Sequence, residues 1–331
     1  MTLEFGCKDI RDQVFALVGM ASDAEKFDII DYSERIETVC QRLAYASVSD
    51  SASLKRLWFL LYLTPLDRRV HSWVPNLESL LVGREGVTLS MQFTLFERGQ
   101  HSASGHSALD TRLDKDRNTL AIRGRIVDKL QRLGSSSRGL ESARQIEKMM
   151  LPGHDDDLQD AARQTFQWME ECIDIAQSPG RGRTKAEEAF REALLHDPPI
   201  QEKALSMAGV LDQEFPEQLR LRKIAAYDNM DRALAACIAL SGLQSTRLIR
   251  YLMSDRVNRR FGRTEKDKIG WLPPVAEEGD LICILHGMTL PYAIRPAGDG
   301  YQLVGECIVM GLMRGEGMDL PNAESEMIVL R

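Results

Sequence analysis

No run of this chain is apolar for long enough to cross a bilayer. The most apolar stretch, Leu57 to Leu66 (LWFLLYLTPL), is about half the length a spanning helix needs. It reads as a buried helix or strand. The N-terminus, MTLEFGCKDIRDQ, has no basic-then-apolar signal pattern, so a cytoplasmic location without membrane contact is expected. Surplus positive charge is missing too. The formal net charge is −7, which argues against a broad affinity for nucleic acid. The basic stretch Arg256, Arg259, Arg260, Arg263, Lys266 and Lys268 is outweighed by acids elsewhere. No CxxC pair occurs among Cys7, Cys40, Cys172, Cys237, Cys283 and Cys307. An even count permits disulfides, but six scattered cysteines suit reduced core thiols better.

Complete catalytic constellations are absent as well. There is no GxSxG. Cys283 and His286 are close in sequence, but Cys283 lies in the apolar run LICIL, the setting of a core residue rather than an activated thiolate. His101 and His106 are five apart in a Ser/Gly loop, whereas ligand pairs on a helix prefer three or four, and no nearby Cys or Glu completes a set. Asp155, Asp156 and Asp157 precede a helical pattern, where carboxylates favour the positive helix end. Three adjacent loop carboxylates cannot all face one ion, so no metal is expected. Gly311, Gly315 and Gly317 lack the GK[ST] ending of a phosphate loop, and backbone turning explains them. Glu306 and Glu316 are candidates for paired carboxylates, with Arg295 available to meet one of them in a structural ion pair. Trp73 and Trp271, each beside prolines, read as packing anchors. No cofactor is expected.

What is present is an ordinary globular composition, 44% hydrophobic and 27% charged. Residues 1–80 look α/β. A helical pattern runs over Asp9 to Met20, Phe27 to Tyr32 is strand-like, and Ser33 is placed to cap a helix with Ile36, Val39, Cys40, Leu43 and Ala44 on one face. Residues 81–262 read as mostly helical: Leu140 to Leu151, Leu158 to Gln177, Lys185 to Leu195 and Gln218 to Ala239 repeat near 3.6. Within this region Val87 to Phe96 alternates like a strand, Gly99 to Ser107 looks like an exposed loop, and Thr119 to Leu133 reads as strand, glycine turn and helix start. From Gly270 the period switches to two. Strands are expected at Leu281 to Leu285, Tyr292 to Arg295, Tyr301 to Val304 and Cys307 to Met310, with a hairpin at Gly298-Asp299-Gly300. The sum is an α+β fold, predominantly helical, with a small β-meander or barrel-like module over 263–331 packed on the helical region.

Several ordered stretches resemble fungal heterokaryon-incompatibility (HET domain) proteins. DIRDQVFALVGMASD (9–23) followed by IDYS (30–33) is similar to DPRDKVYALLGLASD and PDYS; the matching residues include Asp9, Arg11, Asp12, Asp31 and Tyr32. SWVPN (72–76), with Trp73 and Pro75, resembles SWVPDW. LAIRGRIVD (120–128) resembles L-x-x-x-G-x-x-V-D. RRFGRT (259–264), GWLP (270–273), Gly279-Asp280, Arg295-Pro296, VGEC (304–307, with Gly305 and Glu306) and GLMRGE (311–316, with Gly311, Gly315 and Glu316) resemble the family's C-terminal pattern. Two departures stand out. The L-S-Y-x-W-G and W-I-D-x-x-C-I-N-Q stretches of the HET core are not found, so the chain is expected to match the C-terminal two-thirds of such a protein. Cys307-Ile308 and Met310 stand where the family often has Tyr and His. The resemblance implies non-self recognition and a cell-death response when incompatible fungal cells fuse, exerted through protein partners and without catalysis by this chain. Its alternative implication is a TIR-like NAD hydrolase whose activity needs the core not found here. No catalytic residue carries over.

Overall fold

A computed structural model describes residues 9, 11–20, 30–49, 71–74, 101–136, 167–168, 170–194, 259–321 and 324–331. Among them are nine strands and three complete helices: α1 (Arg11–Met20), α2 (Ile36–Ser49), β1 (Thr111–Asp114), β2 (Thr119–Ser136), α3 (Arg183–Leu194), β3 (Arg260–Thr264), β4 (Ile269–Leu272), β5 (Leu281–Leu285), β6 (Tyr292–Ala297), β7 (Gly300–Glu306), β8 (Ile308–Val309) and β9 (Glu326–Leu330). The predominantly helical reading is therefore wrong. The described chain is mostly β, and its centre is a closed five-stranded barrel. Of the expected helices, Lys185 to Leu195 corresponds to α3, and Leu158 to Gln177 is helical over 170–176. Leu140 to Leu151, Gln218 to Ala239 and the Val87 to Phe96 strand lie outside the described residues.

Two compact units share the chain. Described residues up to Leu130 and from Val275 onward form the first, and those within Gln131–Pro274 form the second. In the first unit the ring runs β2–β5–β6–β7–β9 and back to β2. β2 pairs antiparallel with β5 (Gly124↔Leu285) and with β9 (Leu120↔Leu330, Ile122↔Ile328). β5–β6 and β6–β7 are antiparallel, and Tyr301 meets Leu330 in a parallel bridge between β7 and β9. Alternate residues turn inward, as a pleated strand requires. Leu120, Ile122, Cys283, Leu285, Tyr292, Ile294, Leu303, Ile328 and Leu330 fill the interior together with Trp73. Barrel diameter grows with strand number, and eight strands leave room for side chains or at most one small ligand. Five strands enclose a packed core, not a ligand chamber.

β2 overturns the strand–turn–helix reading of Thr119 to Leu133. Its apolar spacing beyond Gly124 imitates a helix, but pairing to strands on both edges decides the conformation. Gly124 is no turn. A Cβ there would sit 2.8 Å from the Ile284 carbonyl oxygen and 2.9 Å from Ile328 Cδ1, so the residue is small to let two neighbours approach. Gly124→Ala is expected to cost about 1–3 kcal/mol by overpacking, measured by urea denaturation. An unchanged midpoint would refute this reading of Gly124.

Local turn chemistry accounts for the rest of the first unit. Gly298 (φ 61°) and Asp299 form the expected two-residue turn between the paired Ala297 and Gly300. Within the expected Gly99 to Ser107 loop, the described residues 101–107 are less exposed than expected. Ala103 and Ser104 are buried, and their N–H groups donate to the carbonyls of Thr289 (3.0 Å) and Met288 (3.2 Å). α2 begins at Ile36, and Ser33 does not cap it. Its N–H (2.8 Å) and hydroxyl (2.6 Å) both donate to Asp31.

In the second unit the β3–β4 hairpin pairs Phe261 with Trp271. Trp168 stacks on Trp271 at 5.7 Å between centroids, and Phe190 of α3 meets Phe261 edge-on at 5.4 Å. The Trp271 indole donates to the Ala193 carbonyl at 2.8 Å. Trp271 is the packing anchor its sequence context predicts.

Candidate functional site

The N-terminal signature residues converge on one clamp. The Asp9 carboxylate accepts from the Arg11 backbone N–H at 3.0 Å and from Arg11 Nε at 2.9 and 3.1 Å. The Arg11 guanidinium also donates to the carbonyls of Tyr32 (2.8 Å) and Glu34 (2.6 Å), and lies 5.5 Å over the Tyr32 ring. The Tyr32 hydroxyl donates to Asp12 at 2.6 Å. Asp9, Arg11, Asp12, Asp31 and Tyr32 thus tie the start of α1 to the 31–34 turn. The Arg11 hydrogen bonds hold the Asp9 pKa down from its ordinary 3.8 to about 2. A depressed folded pKa means that the clamp's contribution is complete above about 3.8 and is lost as pH falls through about 2. An NMR titration of the Asp9 carboxyl is expected to show this midpoint, and Arg11→Gln should return it toward 3.8; an ordinary midpoint in the unsubstituted protein would contradict the clamp.

The remaining signature residues hold the barrel. Trp73 is inserted into its core, while Pro75 lies outside the described residues. Gly279, at φ 98°, donates its N–H to the Leu130 carbonyl at 2.9 Å, and Leu130 N–H returns a bond to the Asp280 carbonyl at 2.8 Å. The Asp280 carboxylate is buried. It accepts from Arg295 Nε (2.7 Å), Arg295 Nη2 (3.0 Å) and Glu277 N–H (2.8 Å). Arg295 also pairs with Glu277 at 2.9 Å and donates to the Val275 carbonyl at 3.1 Å. Arg295 therefore meets Asp280 and Glu277, not Glu306 or Glu316. Glu306 is buried opposite Tyr292, whose hydroxyl pKa is pushed up by burial and then by the Glu306 charge. Glu316 is exposed and accepts the Arg314 N–H at 2.7 Å. The two carboxylates thus sit in different settings, Glu306 buried and Glu316 exposed. Gly311 (φ 76°) and Gly315 (φ 98°) are turn residues, as the missing GK[ST] implies.

Cys283 lies inside the barrel, and burial pushes its thiol pKa up. His286 is three positions on, an odd spacing that places it on the opposite face of the strand path. The two do not form a dyad. Among the described residues no group of three or more His, Cys, Asp or Glu is placed to hold a metal ion; Asp155 to Asp157 lie outside them.

A polar group that the sequence reading passed over gathers on the outer face of the barrel. Arg123 and Arg125 are two apart on β2 and share a face. His286 N–H donates to the Arg123 carbonyl at 2.9 Å, extending the β2–β5 ladder. The His286 ring nitrogen Nε2 is 3.1 Å from Ser325 Oγ, just before β9. Arg123 Nε donates to Asp110 at 2.7 Å, and Arg125 donates to the Met318 carbonyl. Burial, then Arg123 and Arg125, lower the His286 pKa, and Asp110 opposes them. The signal was available: period two over β2 puts both arginines on one side, but only the pairing register brings His286 and Ser325 beside them.

The family profile described as the Het-6 beta-barrel domain matches residues 125–327. No curated protein and no solved structure shows a match.

Proposed function

The chain belongs to the Het-6 beta-barrel domain family and is a heterokaryon-incompatibility-type protein; from that premise we propose that it serves fungal non-self recognition and cell-death signalling through protein contacts, without catalysis of its own. One observation carries the non-catalytic reading. Every described signature residue from the clamp to the Asp280–Arg295 pair is engaged in holding the fold, and the barrel interior is filled with side chains. Such a body offers partners a rigid surface and offers a small substrate no chamber.

Expression in a fungal host, followed by fusion with tester strains, examines the recognition role. Death in some pairings and not in others is expected, and uniform survival would reject it. Incubation of the purified chain with NAD examines the alternative, TIR-like reading; nicotinamide release would overturn the non-catalytic one.

A further inference from the structure

Like charges side by side on one strand face repel, yet among the described residues Arg123 and Arg125 hold such positions with a single carboxylate, Asp110, which bonds Arg123 alone. Arg125 is directed at a backbone carbonyl, which carries no full charge. Arg123 and Asp110 are both more than a third exposed, so the group opens to solvent at Arg123, while Arg125 is half-buried and its Nε is buried with no hydrogen-bond partner among the described residues. His286 arrives from the β5 end and Ser325 from the β9 side. A planar carboxylate is best served by one guanidinium in its own plane. Donors arriving from three neighbouring strand paths suit a tetrahedral ligand instead.

We propose that this outer face is a binding site for a phosphate-type oxyanion, held between Arg123 and Arg125 with His286 and Ser325 as hydrogen-bonding neighbours. The anion supplies the charge that Asp110 alone does not. It also favours the protonated imidazole, offsetting the burial and then the Arg123 and Arg125 charges that lower the His286 pKa. The neutral residues Ile284 and Met327 stand across from Arg125 and Arg123 in the ladder and add no charge.

Sulfate is the cleanest probe, since it stays a dianion throughout the range where histidine titrates. The His286 imidazole signals, assigned with His286→Gln, are followed by NMR as sodium sulfate is added, against sodium chloride at matched ionic strength. A saturable shift with sulfate alone is expected, together with a rise in the His286 pKa. Arg123→Gln and Arg125→Gln should each weaken binding about tenfold or more, the usual loss for a hydrogen bond to a charged group. The Arg123–Asp110 pair is solvent-exposed and adds little stability, so Arg123→Gln should stay folded by circular dichroism and give a readable result even where Arg125→Gln does not. Inorganic phosphate and O-phosphoserine form separate competition arms that separate a free anion from an esterified one, and displacement of sulfate by either upholds the site. An equal shift with chloride, wild-type affinity in folded Arg123→Gln, or failure of both phosphate probes to compete would overturn it.

Discussion

Trp73→Ala is expected to destabilise the barrel by about 3–5 kcal/mol, the range for removing a fully buried indole. The side chain has no solvent exposure and belongs to the same core as Leu120, Ile122, Tyr292 and Leu330. Its Nε1 donates to the Asn118 carbonyl at 3.2 Å, and Tyr45 of α2 stacks on it at 5.7 Å and 23°. The preceding Ser72 fixes the insertion: its N–H donates to the Arg331 carbonyl at 2.7 Å, and its hydroxyl oxygen accepts from Leu303 N–H at 2.8 Å. Trp73→Phe keeps a ring against Tyr45 and loses the indole bond, so it should be the milder change. Urea denaturation of both variants distinguishes volume from hydrogen bonding. A Trp73→Ala protein within about 1 kcal/mol of the parent would mean that the site collapses around the loss and that the indole does not seal the core.

The second large effect is expected at Arg295. Asp280 has a side-chain exposure of 1%, against 20% for Arg295. Arg295→Met removes two charge-assisted bonds and leaves a carboxylate buried beside a single backbone N–H. About 3–5 kcal/mol is the usual cost of breaking a buried pair from one side. Arg295→Met/Asp280→Leu should recover much of that, because the stranded charge is gone. Glu277→Gln is the contrast: Glu277 is 67% exposed, and its loss should cost under about 1 kcal/mol. Equal costs for Arg295→Met and Glu277→Gln in chemical denaturation would show that burial of Asp280 does not set the energy.

Strands β5, β6 and β7 were legible because their signals are local: alternation bounded by glycine turns, with a two-residue loop at Gly298-Asp299. A barrel-like module was expected over 263–331, but its closure was not legible, because a strand that closes it, β2, lies far outside that range. Leu120 pairs with Leu330, 210 positions away, and no window of neighbouring residues contains that information. Gly124 shows the same limit. A glycine beside charged residues looks like a turn until the approach of Ile284 and Ile328 gives it another purpose. For the signature residues, the family pattern identified positions and the coordinates identified roles. Asp9 and Arg11 are adjacent to their partners in sequence, but nothing local says that Arg11 reaches the carbonyls of Tyr32 and Glu34. Sequence proximity pairs His286 with Cys283, whereas in the fold its neighbours are Arg123 and Ser325.

The β2–β9 pairing also bears on how a newly made chain survives. At a synthesis rate of about 5–20 residues per second, roughly 10–40 s separate the appearance of Leu120 from that of Leu330. For that interval β2 has β1 beside it but no ring to join, and the edge that β9 will take, Leu120 to Gly124, remains open to any passing strand. Production of this protein should therefore lean on holding chaperones, and slowing translation between residues 136 and 281 should lower the yield of soluble product without altering the finished fold.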